Sequence, residues 1–243
     1  MGIARLTEPA APLVAVADIG ATILADYPYL VLSLVLFAIF MVVFARTRRH
    51  RSLLIFSGLG SAAFSFSSFV FVPEYWDPVR VWSLVVGPED LVFSFANGGI
   101  VWYLATWRRR VLPADDRSVA AFVARFLGWS LLGVASSIPP HLAGFAPMTC
   151  CFFSMAVVGT ALLISRPDLR MLAATGALGF STLYTAIGVM TMITFPSFTT
   201  QWTHENLCGL AVLGLPLEET AWAFGFGAIF PLIVASSAKI RVT

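Results

Sequence analysis

The chain has 243 residues, of which 58% are hydrophobic and only 12% are charged, and its formal net charge is +2. The surface of a soluble domain needs more charge than this composition supplies. The composition therefore excludes an ordinary soluble protein and predicts a chain that lies mostly within a lipid bilayer.

Seven apolar segments are long enough to cross a bilayer, which takes roughly 20 residues of helix. Their approximate bounds are 29–45, 53–72, 91–107, 119–138, 143–164, 169–193 and 217–237. Almost no residues remain for a soluble domain. We therefore predict an all-α polytopic membrane protein with about seven transmembrane helices, in which residues 1–243 form one integral membrane domain.

The basic residues follow alternate spans, namely the first, third, fifth and seventh. They are Arg46, Arg48, Arg49, Arg51, Arg108, Arg109, Arg110, Arg117, Arg166, Arg170, Lys239 and Arg241. With seven spans all of them fall on one side, which the positive-inside rule assigns to the cytoplasm. The opposite side keeps only two arginines, Arg5 and Arg80, but most of the acidic residues. We expect the cell membrane as the location, with the N-terminus outside and the C-terminus inside.

Two adjacent acids open the third span and two more open the seventh. The segments read G-P-E-D-L-V-F-S-F-A-N-G-G from Gly87 and G-L-P-L-E-E-T-A-W-A-F-G-F-G-A from Gly214. One acid in a first turn would already complement the helix dipole, so the pairs are also compatible with a purely structural role. The doubling of the acids, and the repetition of the pattern, favour one shared site. The four candidate carboxyl groups are those of Glu89, Asp90, Glu218 and Glu219.

The order of features along the chain predicts an internal repeat. Residues 28–110 and 143–239 each contain three spans, with an aromatic outer loop and an acid pair before the last one. Because both units start outside, the repeats would be parallel and joined by the fourth span. We expect the third and seventh spans to be neighbours, so that the acid pairs meet at one depth.

Three further features leave alternatives open. Tyr75 and Trp76 are typical of interfacial anchors, but they could also form a lid over a site. Arg125 lies within the fourth span, where it either has a function or extends its long side chain to the cytoplasmic face. His141 and His204 allow an outer metal site, but no ligand spacing in the chain is diagnostic of one.

Several classes of function are disfavoured by missing signals. The G-x-G in the second span has no β-α-β context, so no dinucleotide site is expected. The seventh span has no lysine for a retinal Schiff base, because Lys239 lies beyond it. The three cysteines have no C-x-x-C spacing. We expect no bound cofactor, no metal and no nucleic acid, and the oligomeric state stays open.

The two acid-pair segments, together with P-E-Y-W-D-P from Pro73, resemble the lycopene cyclase domain of heterodimeric bacterial carotenoid cyclases and of the fungal fused cyclase–phytoene synthase. That family has an acid pair followed by aromatic residues once in each half, and here both halves lie in one chain. The resemblance implies a carotenoid cyclase in the bilayer that forms an ionone ring without net redox change.

The resemblance also implies roles for the residues of both segments. A protonated carboxyl would be the acid, an ionised one would be the base, and the aromatic rings would stabilise a cation. The expected binding residues for a linear carotenoid are Phe93, Phe95, Asn97, Trp222, Phe224, Tyr75 and Trp76. The alternative is a non-catalytic carotenoid-binding or regulatory membrane protein on the same scaffold.

Overall fold

The computed structural model describes residues 26–47, 51–112 and 118–242. Seven long helices dominate this part of the chain, which confirms the all-α prediction. They are α1 (Pro28–Arg46), α2 (Arg51–Ala62, extended by a 3-10 segment, Ala63–Ser67, and a last helical turn, Ser68–Phe71), α3 (Pro88–Thr106), α4 (Val119–Leu142), α5 (Pro147–Ser165), α6 (Arg170–Thr194) and α7 (Leu217–Ser237). Short 3-10 helices cover Pro167–Leu169, Pro196–Gln201 and His204–Asn206.

Six of the helical segments are long and apolar enough to cross a membrane, and α3 is the long helix that does not qualify. Its sequence carries Glu89, Asp90 and Asn97, which lower its hydropathy, and all three side chains are buried inside the bundle. The neighbouring helices therefore separate the polar residues of α3 from the lipid, as expected for polar groups at membrane depth.

The acid-bearing helices occupy the centre of the bundle. Helix α3 packs mainly against α1 and α2, and α7 packs mainly against α6 and α5, while α4 lies against α5 and α7. The predicted neighbours α3 and α7 do touch, but α3 packs more extensively against α6. The internal repeat, as a relation between the two halves, stays a prediction.

Small residues let these central helices approach closely. A Cβ on Gly227 of α7 would lie 2.6 Å from the carbonyl oxygen of Gly176 on α6. A Cβ on Gly98 of α3 would overlap Ser61 of α2, and the Ser57 hydroxyl donates to the Gly98 carbonyl at 2.7 Å. These contacts fix how far α3 and α7 can rotate, and so decide which side chains face inward.

Two short antiparallel strand pairs lie at the two ends of the bundle. At one end β1 (Val111–Leu112) pairs with β4 (Arg241–Val242), which joins the residues after α3 to those after α7. At the other end β2 (Ala211–Val212) pairs with β3 (Leu215–Pro216), directly before the acids of α7. Helices α3 and α7 therefore run in the same direction, and their acid pairs lie at the same end.

Basic residues that follow alternate spans meet at the end opposite the acids. The Arg109 guanidinium donates to the Met171 carbonyl, and Arg166 donates to the Ile240 carbonyl at 2.9 Å. The side of the membrane on which this end lies stays a prediction. Residues 1–25, on which the predicted outer N-terminus falls, and Arg48, Arg49 and Arg117 lie outside the described residues.

Arg125 has a structural contact that neither sequence interpretation included. Its Nε donates to the Ser237 carbonyl at 2.7 Å, at the end of α7. The last carbonyls of a helix have no partner within the helix, so this side chain satisfies one of them. Arg125 thereby connects α4 to the C-terminal end of α7.

Candidate functional site

A cavity of about 710 Å³ lies between the helices and receives the second acid of each pair. Asp90 reaches it from α3 and Glu219 reaches it from α7. The rest of its lining is mostly apolar and comes from all seven helices and both outer loops. The cavity thus combines two carboxyl groups from distant parts of the sequence in one largely apolar compartment.

Asp90 is held by a buried ion pair and several hydrogen bonds. The Arg80 Nε lies 2.9 Å from its Oδ2, and the two side chains are only 5% and 4% exposed. Tyr29 donates to Oδ1 at 3.0 Å, the Gly87 amide donates to Oδ2 at 2.7 Å, and Ser68 adds a longer contact. A buried charge is tolerated when it is paired and hydrogen-bonded in this way.

Glu219 is held differently, by three neutral donors. Its Oε1 accepts from the Tyr75 hydroxyl at 2.9 Å and from the Trp202 indole at 3.1 Å, and its Oε2 accepts from the Tyr184 hydroxyl at 2.8 Å. Burial raises the pKa of Tyr75 well above its ordinary value. Tyr75 therefore keeps its proton and remains a donor to Glu219.

The first acid of each pair points away from the cavity, toward the preceding loop. Glu89 Oε1 accepts from the Val81 amide at 2.6 Å, and Glu218 Oε1 accepts from the Cys208 amide at 2.5 Å. Neither side chain lines the cavity. The two acid pairs are therefore arranged alike. In each pair the first acid accepts a hydrogen bond from the preceding loop, and the second acid faces the cavity.

The aromatic residues one turn after the cavity-facing acids form part of its wall. Phe93 and Trp222 stack across the site with ring centroids 6.3 Å apart, and Tyr184 lies 5.3 Å from Trp222. Phe226 extends this wall, 5.2 Å from Trp222 and nearly parallel to it. Ring faces arranged in this way suit a ligand that is apolar or transiently positive.

Five of the seven expected binding residues line the cavity, and two do not. Those that line it are Tyr75, Trp76, Phe93, Asn97 and Trp222. Phe95 instead packs against Phe40, with centroids 5.0 Å apart, and Phe224 is 50% exposed on the outer surface of α7.

The two outer loops join each other over the acid end of the cavity. Trp76 forms a β-bridge with Trp202, the Asp77 amide donates to the Gln201 carbonyl at 2.7 Å, and the Thr203 amide donates to the Tyr75 carbonyl at 2.9 Å. Of the two interpretations of this loop, a cover over a site fits these contacts better than surface anchoring alone.

Five side chains that contact the carboxyl groups of the cavity-facing acids were not predicted from the sequence: Tyr29, Ser68, Arg80, Tyr184 and Trp202. Arg80 had a usable signal, because it is one of two arginines on a side otherwise rich in acids. The others lie far from their partners in sequence, so no local pattern marks them. In the described ranges no three His, Cys, Asp or Glu side chains converge as metal ligands would.

A bundle of apolar helices that encloses two carboxyl groups in an aromatic cavity is a membrane protein with a pocket suited to a largely apolar ligand. Residues 147–235 match the family model described as lycopene cyclase, so the resemblance to the lycopene cyclase domain family is confirmed for α5 to α7. The matched stretch includes Glu218, Glu219 and Trp222. The match supports a carotenoid cyclase function in general terms. No curated protein and no solved structure matches the chain.

Proposed function

We propose that the protein cyclises one end of a linear, lycopene-type carotenoid within the bilayer by acid–base catalysis without a redox cofactor. The observation that carries the proposal is that Asp90 and Glu219 face one aromatic cavity from the two halves of the chain. We place the chemistry on these two residues. Glu89 and Glu218 become positioning residues that hold the loops above the site.

The proposed reaction has no net change in atoms or electrons. A carboxylic acid protonates the terminal double bond, the tertiary cation is attacked by a neighbouring double bond to close the ring, and a carboxylate removes one proton from the ring. Linear and cyclic carotenoid are then isomers, and the carboxyl groups return to their starting total of protons.

The different partners of the two carboxyl groups support different roles. Asp90 lies against the Arg80 guanidinium, so we assign it the ionised state, facing the cation and accepting the proton. Among the described residues Glu219 has only neutral partners, and a tyrosine hydroxyl can either donate or accept. Its hydrogen bonds can therefore rearrange when it carries a proton, so we assign it the acid.

The aromatic wall supplies what the cation needs between the two proton transfers. Phe93, Trp222 and Phe226 line the cavity, and the faces of aromatic rings stabilise a cation by about 2 kcal/mol or more where water is excluded. The loops that cover the acid end reduce access of water, which would otherwise capture the cation.

An apolar substrate would enter from the lipid. Between the extension of α2 and the second half of α4, the cavity is lined by the exposed side chains of Phe66, Val70, Val134 and Ile138. Its volume falls in the range of roughly 300–1,000 Å³ typical of pockets for small ligands. We therefore expect it to hold one end of the polyene while the rest stays in the bilayer.

The alternative is a carotenoid-binding or regulatory protein in which the carboxyl groups only stabilise the fold. The many hydrogen bonds to Asp90 are compatible with it.

Expression in a host that accumulates lycopene separates the catalytic function from this alternative. Cyclised product from the wild type, lost in Asp90→Asn at equal membrane level, supports catalysis. The exposed acid Glu205, changed to Gln, is the control and should not alter the product. No cyclised product from any linear carotenoid would favour the alternative.

A further inference from the structure

Asn97 is a buried polar side chain that lines the cavity without a hydrogen-bond partner. It is 1% exposed, and neither Oδ1 nor Nδ2 has a partner among the described residues. It follows Asp90, Phe93 and Ser94 along the face of α3 that lines the cavity. Seven residues of helix place its backbone about 10 Å along α3 from that of Asp90.

Two hydroxyl groups near Asn97 are also without partners. Ser94 lies on the same face of α3, and Ser61 of α2 lies against Gly98 of α3. No hydrogen bond of either hydroxyl to another described residue is formed. Two other serines of the cavity are satisfied by the protein: Ser65 donates to the Asp90 carbonyl and Ser154 to the Gly133 carbonyl.

A buried amide without partners costs free energy, because it has lost its hydrogen bonds to water. The Asn97 amide offers both a donor and an acceptor, and a hydrocarbon can satisfy neither. A hydroxyl group can satisfy both, and the serine hydroxyls beside it add further partners. The chemistry of this cluster is therefore that of a site for a small neutral group that both donates and accepts.

We propose that Asn97, Ser61 and Ser94 form a hydroxyl-binding subsite part-way along the cavity. The hydroxyl belongs either to an ordered water or to an oxygenated end of the polyene ligand. The inference rests on the proposed function only in taking the ligand to be a linear polyene. Its test measures binding and stability, so a lack of cyclisation by the wild type would not decide it.

The test compares the wild type with Asn97→Leu in lipid nanodiscs. Binding of lycopene and of its linear monohydroxylated counterpart is followed through quenching of the cavity tryptophans, which include Trp76, Trp129 and Trp222. The unfolding midpoint is measured without ligand. Ser94→Ala, at a half-buried position, repeats the comparison if Asn97→Leu does not accumulate. Ser57→Ala is the control, because the Ser57 hydroxyl has a protein partner and does not line the cavity.

Two outcomes support the subsite and distinguish its occupant. If the ligand supplies the hydroxyl, the wild type binds the hydroxylated polyene about tenfold or more tightly than lycopene, and the variant loses this preference. If water supplies it, neither protein discriminates between the polyenes, or neither binds them, and the variant unfolds at a lower temperature. The proposal is overturned if there is no discrimination and the variant is as stable as the wild type or more stable. Ser57→Ala should lower the unfolding midpoint and leave relative affinities unchanged.

Discussion

Asp90 and Glu219 stand at equivalent places on α3 and α7 and face the same cavity, but within the described part of the chain only Asp90 is paired with a cation, Arg80, 2.9 Å away. Glu219 is surrounded by hydroxyl and indole donors. Two carboxyl groups with such different partners do not respond alike to a change in protonation or charge. This difference leads to several expectations that can be measured.

Loss of the arginine should be costly. Arg80→Met leaves the buried carboxylate of Asp90 without its counter-charge, and breaking a buried pair from one side typically destabilises a protein by about 3–5 kcal/mol. The unfolding midpoint in detergent should fall accordingly. The exposed Arg108 is the matched control, and Arg108→Met should change stability by no more than about 0.5 kcal/mol. Equal stability of the two variants would show that the Arg80–Asp90 pair contributes nothing.

Tyr75 should make stability depend on alkaline pH. Burial raises its pKa in the folded state, whereas in the unfolded chain it titrates near its ordinary value of about 10. Above that pH the unfolded state binds fewer protons than the folded state, so stability falls as pH rises.

Unfolding should therefore be followed between pH 8 and pH 11, roughly the window on either side of the ordinary tyrosine pKa. The wild type should lose stability toward the upper end, and Tyr75→Phe should lose less because it has no proton to release. Phenylalanine also removes one donor to Glu219, so Tyr75→Phe should start from a lower stability near pH 8. Parallel pH curves for the two proteins would contradict this role of Tyr75.

Trp222 should contribute to the chemical step. Trp222→Leu keeps an apolar wall but removes a ring face that we place beside the cation. Loss of about 2 kcal/mol of cation stabilisation corresponds to a decrease of about 30-fold in kcat. KM should change less, because the neutral substrate does not need this interaction. Phe224→Leu, on the exposed side of the same helix, should leave both constants near their wild-type values.

The contact between α6 and α7 should tolerate no side chain at Gly227. The added methyl of Gly227→Ala would lie 2.6 Å from the Gly176 carbonyl oxygen, so the helices must separate, at a cost of about 1–3 kcal/mol. Gly128 on α4 is the control, because a Cβ there meets nothing within 4 Å. Gly128→Ala should be neutral or stabilise by up to about 1 kcal/mol. The measurement is the difference between the unfolding midpoints of Gly227→Ala and Gly128→Ala.

Hydropathy predicted the helices well, because the length and apolar character of a span are local properties of the sequence. It could not predict which side chains of α3 and α7 face inward, since the rotation of each helix is set by contacts such as those at Gly98 and Gly227. Helix geometry alone could nevertheless have shown that not all the expected binding residues line one cavity. Residues two apart on a helix differ by about 200° in direction. Phe93 and Phe95 therefore cannot face one cavity, and neither can Trp222 and Phe224.

The partners of the carboxyl groups were beyond any local pattern. Tyr75 and Glu219 are separated by 144 residues, and Tyr29 and Asp90 by 61. The packing of the two halves brings Tyr75 to Glu219, and the packing of α1 against α3 brings Tyr29 to Asp90. The acid pairs themselves were visible in the sequence. Which acid of each pair faces the cavity depends on which one accepts from the loop amide, that of Val81 in one pair and that of Cys208 in the other.

The most direct test of the account compares two neighbouring acids of α7 in purified protein. Glu219→Gln removes a titratable carboxyl group from the cavity, whereas Glu218→Gln changes one that fastens a loop outside it. With lycopene as substrate, Glu219→Gln should reduce the rate of cyclisation by roughly 10²-fold or more, the scale expected for loss of a general acid or base. Glu218→Gln should stay within about tenfold of the wild type, because its Oε1 can still accept from the loop amide. Unchanged cyclisation by Glu219→Gln, or a larger loss in Glu218→Gln than in Glu219→Gln, would contradict the assignment of the chemistry to the cavity-facing acids.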